Sequence, residues 1–349
     1  MKAAVWYDAK DIRVEERSEP SIHNDEVKVR VAWAGICGSD LHEYEEGPVF
    51  IPNEEQDPIS GGQAPFAMGH EFSGVVEAIG ENVKDVHVGD RVSINPVLTY
   101  GNKGEHYDIY DGVAFIGLHR EGGFADFVSV PEDHVYKLPE GLSLELGALV
   151  EPTSVAVQSI KESNITIGET VAVFGVGPIG LLTVIAARAA GASKIIALDL
   201  SETRLQKAKD VGATHIINSG EEDAVEAVKQ IVPDGVDKSF EVAGIGVTFN
   251  QAVAATKARG IMNVVSIFAN DMTFHPMSLT TTGVSVKSTF AFEPSTYKQT
   301  LELLANGQLY VDPVITDHID LNDIVPRGFE ALSQDKSQAK ILVRVSGKS

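Results

Sequence analysis

A chain of 349 residues is long for one hydrophobic core, and its length points to two domains. Its composition, 43% hydrophobic and 22% charged, is that of an ordinary soluble globular protein. Fifty acidic side chains against 28 basic ones give a net charge of -22, a surface that repels phosphate backbones and anionic lipid, so neither nucleic acid nor membrane is expected as a partner. The single cysteine, Cys37, excludes an intramolecular disulfide and suits a reducing cytoplasm, the expected location. The N-terminus meets Asp8 before a signal-peptide core could form, and the longest apolar stretch, Ile179 to Ala187, stops at Arg188.

From the start to about residue 150, short β-branched runs such as Val27-Lys28-Val29-Arg30-Val31 are divided by Gly, Pro and Asp, the pattern of a mostly β unit with long loops. One loop stands out. Glu45 to Phe66 is rich in Pro, Gly and acids, with Pro48-Val49-Phe50-Ile51-Pro52 its apolar part, and reads as an excursion beside a functional site. After Gly168 the texture changes to apolar runs alternating with helical periodicity: Val171 to Gly175, Ile195 to Asp199, His215 to Asn218, Lys238 to Val242, Ile261 to Ile267 and Val284 to Phe290. Six such runs predict a doubly wound parallel sheet. Pro178 opens the first helix and Ser201 is the expected N-cap before Glu202 to Val211. Past about residue 292 the pattern turns irregular, and the final run, Ile341 to Val345, is expected to pair back into the first unit.

Gly175-Val176-Gly177-Pro178-Ile179-Gly180 follows a β run and opens a helix, the context a dinucleotide fingerprint requires. The glycines would serve the tight turn, the approach of pyrophosphate to backbone N-H groups, and close helix-strand packing. Asp199 ends the next run, 24 residues after Gly175, where a carboxylate can accept from ribose hydroxyls and repel a 2'-phosphate; NAD is therefore expected over NADP. Arg204 could meet a 2'-phosphate, although an arginine on an exposed helix face is usually solvated. Val242, Ile267 and Phe290, which end later runs, complete the expected cofactor contacts.

Cys37 lies in Gly35-Ile36-Cys37-Gly38-Ser39-Asp40-Leu41-His42 and is followed 33 residues later by His70, within Gly69-His70-Glu71. Thiolate, imidazole and one carboxylate suit a zinc ion with a vacant position, which polarises an alcohol or carbonyl rather than bracing a fold. Glu71 and Glu151 are both candidates for the carboxylate; both at once would leave the site anionic, so one is expected to bind at a time. Ser39 can exchange a proton with the substrate oxygen and His42 can carry it toward water.

These motifs, with Gly89-Asp90-Arg91-Val92 and Glu151-Pro152, occur in the order seen in the zinc-dependent medium-chain dehydrogenase/reductase family, which the chain resembles over essentially its whole length. The resemblance implies an α/β protein: a GroES-like, mostly β catalytic domain at 1-152, a doubly wound Rossmann NAD-binding domain at 153-292, and a return to the catalytic domain at 293-349. By resemblance Cys37, His70 and Glu151 fill the zinc-ligand positions, and Glu71 is the carboxylate that replaces or joins the third ligand in some polyol dehydrogenases. The stretch Cys37 to Tyr44, with Gly47 to Pro52 and Met68 to Gly74, is most similar to the 2,3-butanediol dehydrogenase (acetoin or diacetyl reductase) branch, which implies hydride transfer between NAD(H) and a vicinal diol or hydroxyketone such as 2,3-butanediol, acetoin or diacetyl; another polyol or secondary alcohol dehydrogenase, of the sorbitol or threonine type, is the alternative. Resemblance also implies a homodimer or homotetramer. One departure is clear. Many relatives carry four cysteines for a structural zinc roughly where Asn95 to Gly123 falls; this segment has none, only His106, Asp108 and Asp111, so one zinc per subunit is expected.

Overall fold

A computed structural model describes residues 1-100, 109-335 and 337-346. Its chain separates into two compact units, one formed by 1-151, 293-305 and 315-349, the other by 152-292 and 306-314.

The first unit is built on antiparallel pairing. Its main sheet runs in the order Val135–Lys137, Arg91–Ile94, Glu71–Ile79, Glu26–Gly35, Lys340–Arg344 and Ile315–Asp320, with Phe127–Pro131 also pairing Glu26–Gly35. Glu26–Gly35 is the hub. Its valines at 27, 29 and 31 are buried, as alternation along a strand demands, and they pack with Trp6, Phe72, Phe124 and Phe329. The C-terminal run does return here: Lys340–Arg344 lies antiparallel to Glu26–Gly35, with Leu342 opposite Gly35.

The second unit holds six parallel strands in the order His215–Asn218, Lys194–Asp199, Thr170–Phe174, Val236–Glu241, Thr256–Val264 and Ser285–Ser288. Strand order reverses between Thr170–Phe174 and Val236–Glu241, the place where such sheets open a ligand crevice at their carboxyl edge. The doubly wound reading holds. Ser201 caps the helix Glu202–Asp210, accepting from the Arg204 amide at 3.4 Å, and Pro178 stands at the first turn of Pro178–Ala189.

Two elements differ from expectation. The helix Gly38–Glu46 falls in a stretch expected to be mostly β with long loops and overlaps the start of the Glu45 to Phe66 loop; its buried residues are Asp40, Glu43 and Tyr44, so no apolar stripe marks it. The fifth strand begins at Thr256 rather than Ile261; the ladder shifts between Val236 and Lys238, and Arg259 adopts a φ of 64°, so the irregular stretch masks the strand's start. Among the described residues no helix is long and apolar enough to cross a membrane. His106 and Asp108 lie outside the described residues, and Asp111 is an exposed residue of a short 3-10 turn, Ile109–Asp111.

Candidate metal centre and cofactor turn

Register places the first cluster. Glu71–Ile79 runs antiparallel to Glu26–Gly35 with Glu71 opposite Gly35, so the chain leaving one strand at Cys37 passes the chain entering the other at His70. Ligand atoms of Cys37, His70 and Glu71 lie within 4.8 Å of one another. Cys37 caps the helix Gly38–Glu46 with extended backbone (φ -93°, ψ 162°), and its amide donates to Asp40 Oδ2 at 2.9 Å. That return bond from the third helical residue fixes the turn on which the thiol is carried.

His70 is buried between two partners. Its Nδ1 stands 3.3 Å from Asp40 Oδ1, and its Nε2 is 3.4 Å from Ser39 Oγ. Burial opposes a charged ring, yet the charges of Asp40 and Cys37 outweigh it and raise the imidazole pKa well above its ordinary range. Buried anionic groups thus favour positive charge at this point. A thiolate, an imidazole and a carboxylate in reach of one another are a donor set that zinc accepts, and an imidazole oriented through its other nitrogen by a carboxylate is the usual supporting arrangement.

Glu71 has a second, unforeseen partner. Lys340, 1% exposed, donates to both of its oxygens at 2.6 and 2.7 Å and to the Ile36 carbonyl at 3.1 Å. Burial pulls the Lys340 pKa down, but the Glu71 charge overcomes it and the net direction is up. Glu151, in the first turn of Val150–Glu162, is not one of the three converging residues, yet it is buried. Burial pushes its carboxyl up to about 7, helped by the charge of Glu71 and opposed by that of His70. His42 is half-buried and lies three residues after Ser39 on the same helix, a spacing that puts both on one face.

The cofactor candidates gather at the carboxyl edge of the parallel sheet. Gly175 follows Thr170–Phe174 with φ of 92°, and a side chain there would meet Ala243 at 2.8 Å; at Gly180 it would meet the Gly175 carbonyl at 2.0 Å. Gly177 faces open space. Turn, close packing and an unobstructed backbone are therefore divided among the three glycines as a pyrophosphate site requires. Asp199 is half-exposed, and its carboxylate is already shared: Oδ2 accepts from the Val176 amide at 2.9 Å, and Oδ1 from Leu200 and Ser201 at 2.9 and 3.0 Å. It ties the glycine turn to the end of its own strand. Arg204 is partly buried, Val242 follows the end of Val236–Glu241, Ile267 is exposed beyond Thr256–Val264, and Phe290 lies two residues past Ser285–Ser288.

Sequence reasoning missed three buried charges. Asp40 had a signal in its capping-box offset from Cys37. Lys340 is 269 residues from Glu71 and had no local signal. Glu241, fully buried, accepts from the Ala243 and Gly244 amides at 3.0 and 2.9 Å and from Thr248 Oγ1 at 2.6 Å, holding the loop beside Gly175.

Residues 23-140 match the family described as alcohol dehydrogenase GroES-like domain, and 178-306 match zinc-binding dehydrogenase. The chain belongs to the zinc-binding dehydrogenase family. It is 43% identical to the (R,R)-butanediol dehydrogenase of Bacillus subtilis over 99% of both chains, and 34% identical to that organism's sorbitol dehydrogenase over 98% of this chain and 97% of the relative. The crystal structure of the 2R,3R-butanediol dehydrogenase of Bacillus subtilis superimposes with a TM-score of 0.93 at 42% identity, covering 98% of this chain and 99% of that one. The GroES-like plus Rossmann architecture expected from the motifs is that of this family, and the protein is an enzyme of the alcohol dehydrogenase class.

Proposed function

We propose that this dehydrogenase interconverts 2,3-butanediol, acetoin and diacetyl, using NAD(H) and one zinc ion per subunit, with the R,R diol as product as in the similar Bacillus subtilis enzyme. The observation that carries the chemistry is the convergence of Cys37, His70 and Glu71 on one point. These three would hold the metal, with Glu151 the neighbouring carboxylate able to take Glu71's place. When bound, zinc supplies a Lewis acid that acidifies a substrate hydroxyl in oxidation and stabilises negative charge on oxygen in reduction.

The chain's own residues do the rest. Asp40 places its charge 3.3 Å from Nδ1 of His70, on the opposite side of the ring from the nitrogen that faces Ser39. As the diol is oxidised Ser39 takes the hydroxyl proton while passing its own on through cofactor hydroxyls toward His42 and water, and in reduction the relay runs backwards. Gly175, Gly177, Pro178, Ile179 and Gly180 seat the pyrophosphate, while Asp199 selects NAD by the ribose and disfavours a 2'-phosphate. Arg204, Val242, Ile267 and Phe290 border the rest of the dinucleotide. We assign the first compact unit as the catalytic domain and the second as the NAD-binding domain. The enzyme works in the cytoplasm as a homodimer or homotetramer.

A sorbitol-type polyol dehydrogenase is the second reading, supported by the 34% identity noted above. Chiral product analysis and initial rates with 2,3-butanediol, acetoin, diacetyl, sorbitol and threonine separate the two. The four-carbon substrates should exceed sorbitol in kcat/KM by at least about tenfold, a difference of ~1.4 kcal/mol in transition-state binding. Equal or faster turnover of sorbitol would overturn the assignment.

A further inference from the structure

We infer that Glu43 is a positioning residue that governs substrate size, its buried carboxylate locking the Pro48-Ile51 loop onto the helix that begins at Cys37. Its place in substrate choice rests on the diol dehydrogenase reading; the anchoring itself does not.

Glu43 is fully buried. Its carboxylate accepts from three successive amides, Val49 at 2.9 Å, Phe50, and Ile51 at 3.2 Å, while its backbone carbonyl accepts from Trp6 Nε1 at 3.0 Å and Gly47 N at 3.2 Å. A side chain at Gly47 would collide with that carbonyl at 2.4 Å and with the carboxylate at 2.7 Å, so the turn is built tightly around Glu43. Holding a loop with a buried charge is an expensive solution, since a carboxylate out of water must be compensated by strong hydrogen bonds. Burial indeed pushes this carboxyl upward against the pull of the three amides.

Position gives the arrangement its meaning. Asp40 and Glu43 are spaced by three on the helix that Cys37 caps, so neighbouring positions on one side of it carry the carboxylate that faces His70 and the loop anchor. From Cys37 to Glu43 the helix rises about 9 Å, which indexes the loop to the metal ligands at a distance comparable with a small substrate. Ile51 is anchored in the core, whereas Val49 is 52% exposed and Phe50 half-buried, so the anchored segment carries apolar surface that the core does not use. A neutral anchor would hold this wall less firmly. Gln at 43 keeps the shape but sets its own N-H groups against an amide donor.

The test uses full-length, zinc-loaded enzyme with E43Q and, as a variant that leaves the anchor intact, F50A. Hydrogen exchange at amides 49-51 should accelerate at least about tenfold in E43Q and remain near parental in F50A. Both variants should keep parental zinc content, raise KM for 2,3-butanediol about fivefold or more with kcat changed by less than about twofold, and lose discrimination against sorbitol. Unchanged exchange at 49-51 in E43Q, or loss of zinc, would overturn the anchoring role. Loosened amides with KM and discrimination intact in both variants would overturn the role in substrate size. A parent enzyme inactive on butanediol would instead sink the diol reading and leave the exchange result to judge the anchor.

Discussion

Lys340 and Glu71 are held together at 1% and 0% side-chain exposure, and each is tolerable only because of the other. Removing one partner of a buried pair strands the remaining charge, a change that costs about 3 to 5 kcal/mol. K340M should therefore lower the unfolding free energy of the metal-free protein by about that much, and adding E71Q should recover most of the loss. Denaturant unfolding of the two variants checks this; a cost below about 1 kcal/mol for K340M would mean that Glu71 has other compensation. At this scale the sequence was informative where partners are local. Cys37 and Ser39, His70 and Glu71, and the three glycines could each be singled out from neighbours within a few residues. The carboxylates of Asp40 and Glu43 sit in the same motif without being singled out there, and their burial depends on His70 and on Val49 to Ile51 folding over them.

Elements follow from local pattern wherever the pattern is regular. Strands such as Thr170–Phe174 and Lys194–Asp199 are apolar runs of a parallel sheet covered on both faces, and they were legible for that reason. Gly38–Glu46 was not, because six of its nine residues, Ser39, Asp40, His42, Glu43, Glu45 and Glu46, are charged or polar and its buried residues are Asp40, Glu43 and Tyr44, a face defined by hydrogen bonds rather than by hydropathy. The strands of the first unit also enclose two histidines, and these set a pH dependence. His134, whose Nδ1 lies 3.0 Å from the Asn95 carbonyl, and His119, whose Nδ1 accepts from the Phe115 amide at 3.1 Å, both have pKa values lowered by burial from the ordinary 6.5. As pH falls below 6.5 the unfolded chain takes up protons at these positions that the folded chain refuses, so their contribution to stability is present at neutral pH and lost toward acid. Thermal unfolding between pH 7 and pH 5 should show a smaller drop in Tm for H119Q/H134Q than for the parent; equal drops would mean that neither ring is held neutral.

On the scale of the whole molecule, two units with different sheet logic divide the labour. The antiparallel unit brings distant segments to Cys37 by register, and the parallel unit aligns Gly175, Asp199 and the strand ends along one edge. That division was visible as a change of texture after Gly168, and the family motifs supplied the order of the sites. The register of Lys340–Arg344 against Glu26–Gly35, which delivers Lys340, was not, since strand partners separated by the length of the chain leave no periodic trace. The central claim is that one metal, gripped by Cys37, His70 and a carboxylate, is necessary and sufficient for turnover, and zinc titration of chelator-stripped enzyme during NADH-dependent diacetyl reduction tests it most directly. Activity should be absent in stripped protein and rise linearly to saturation at one zinc per subunit; full activity without zinc, or saturation only at two, would contradict the account.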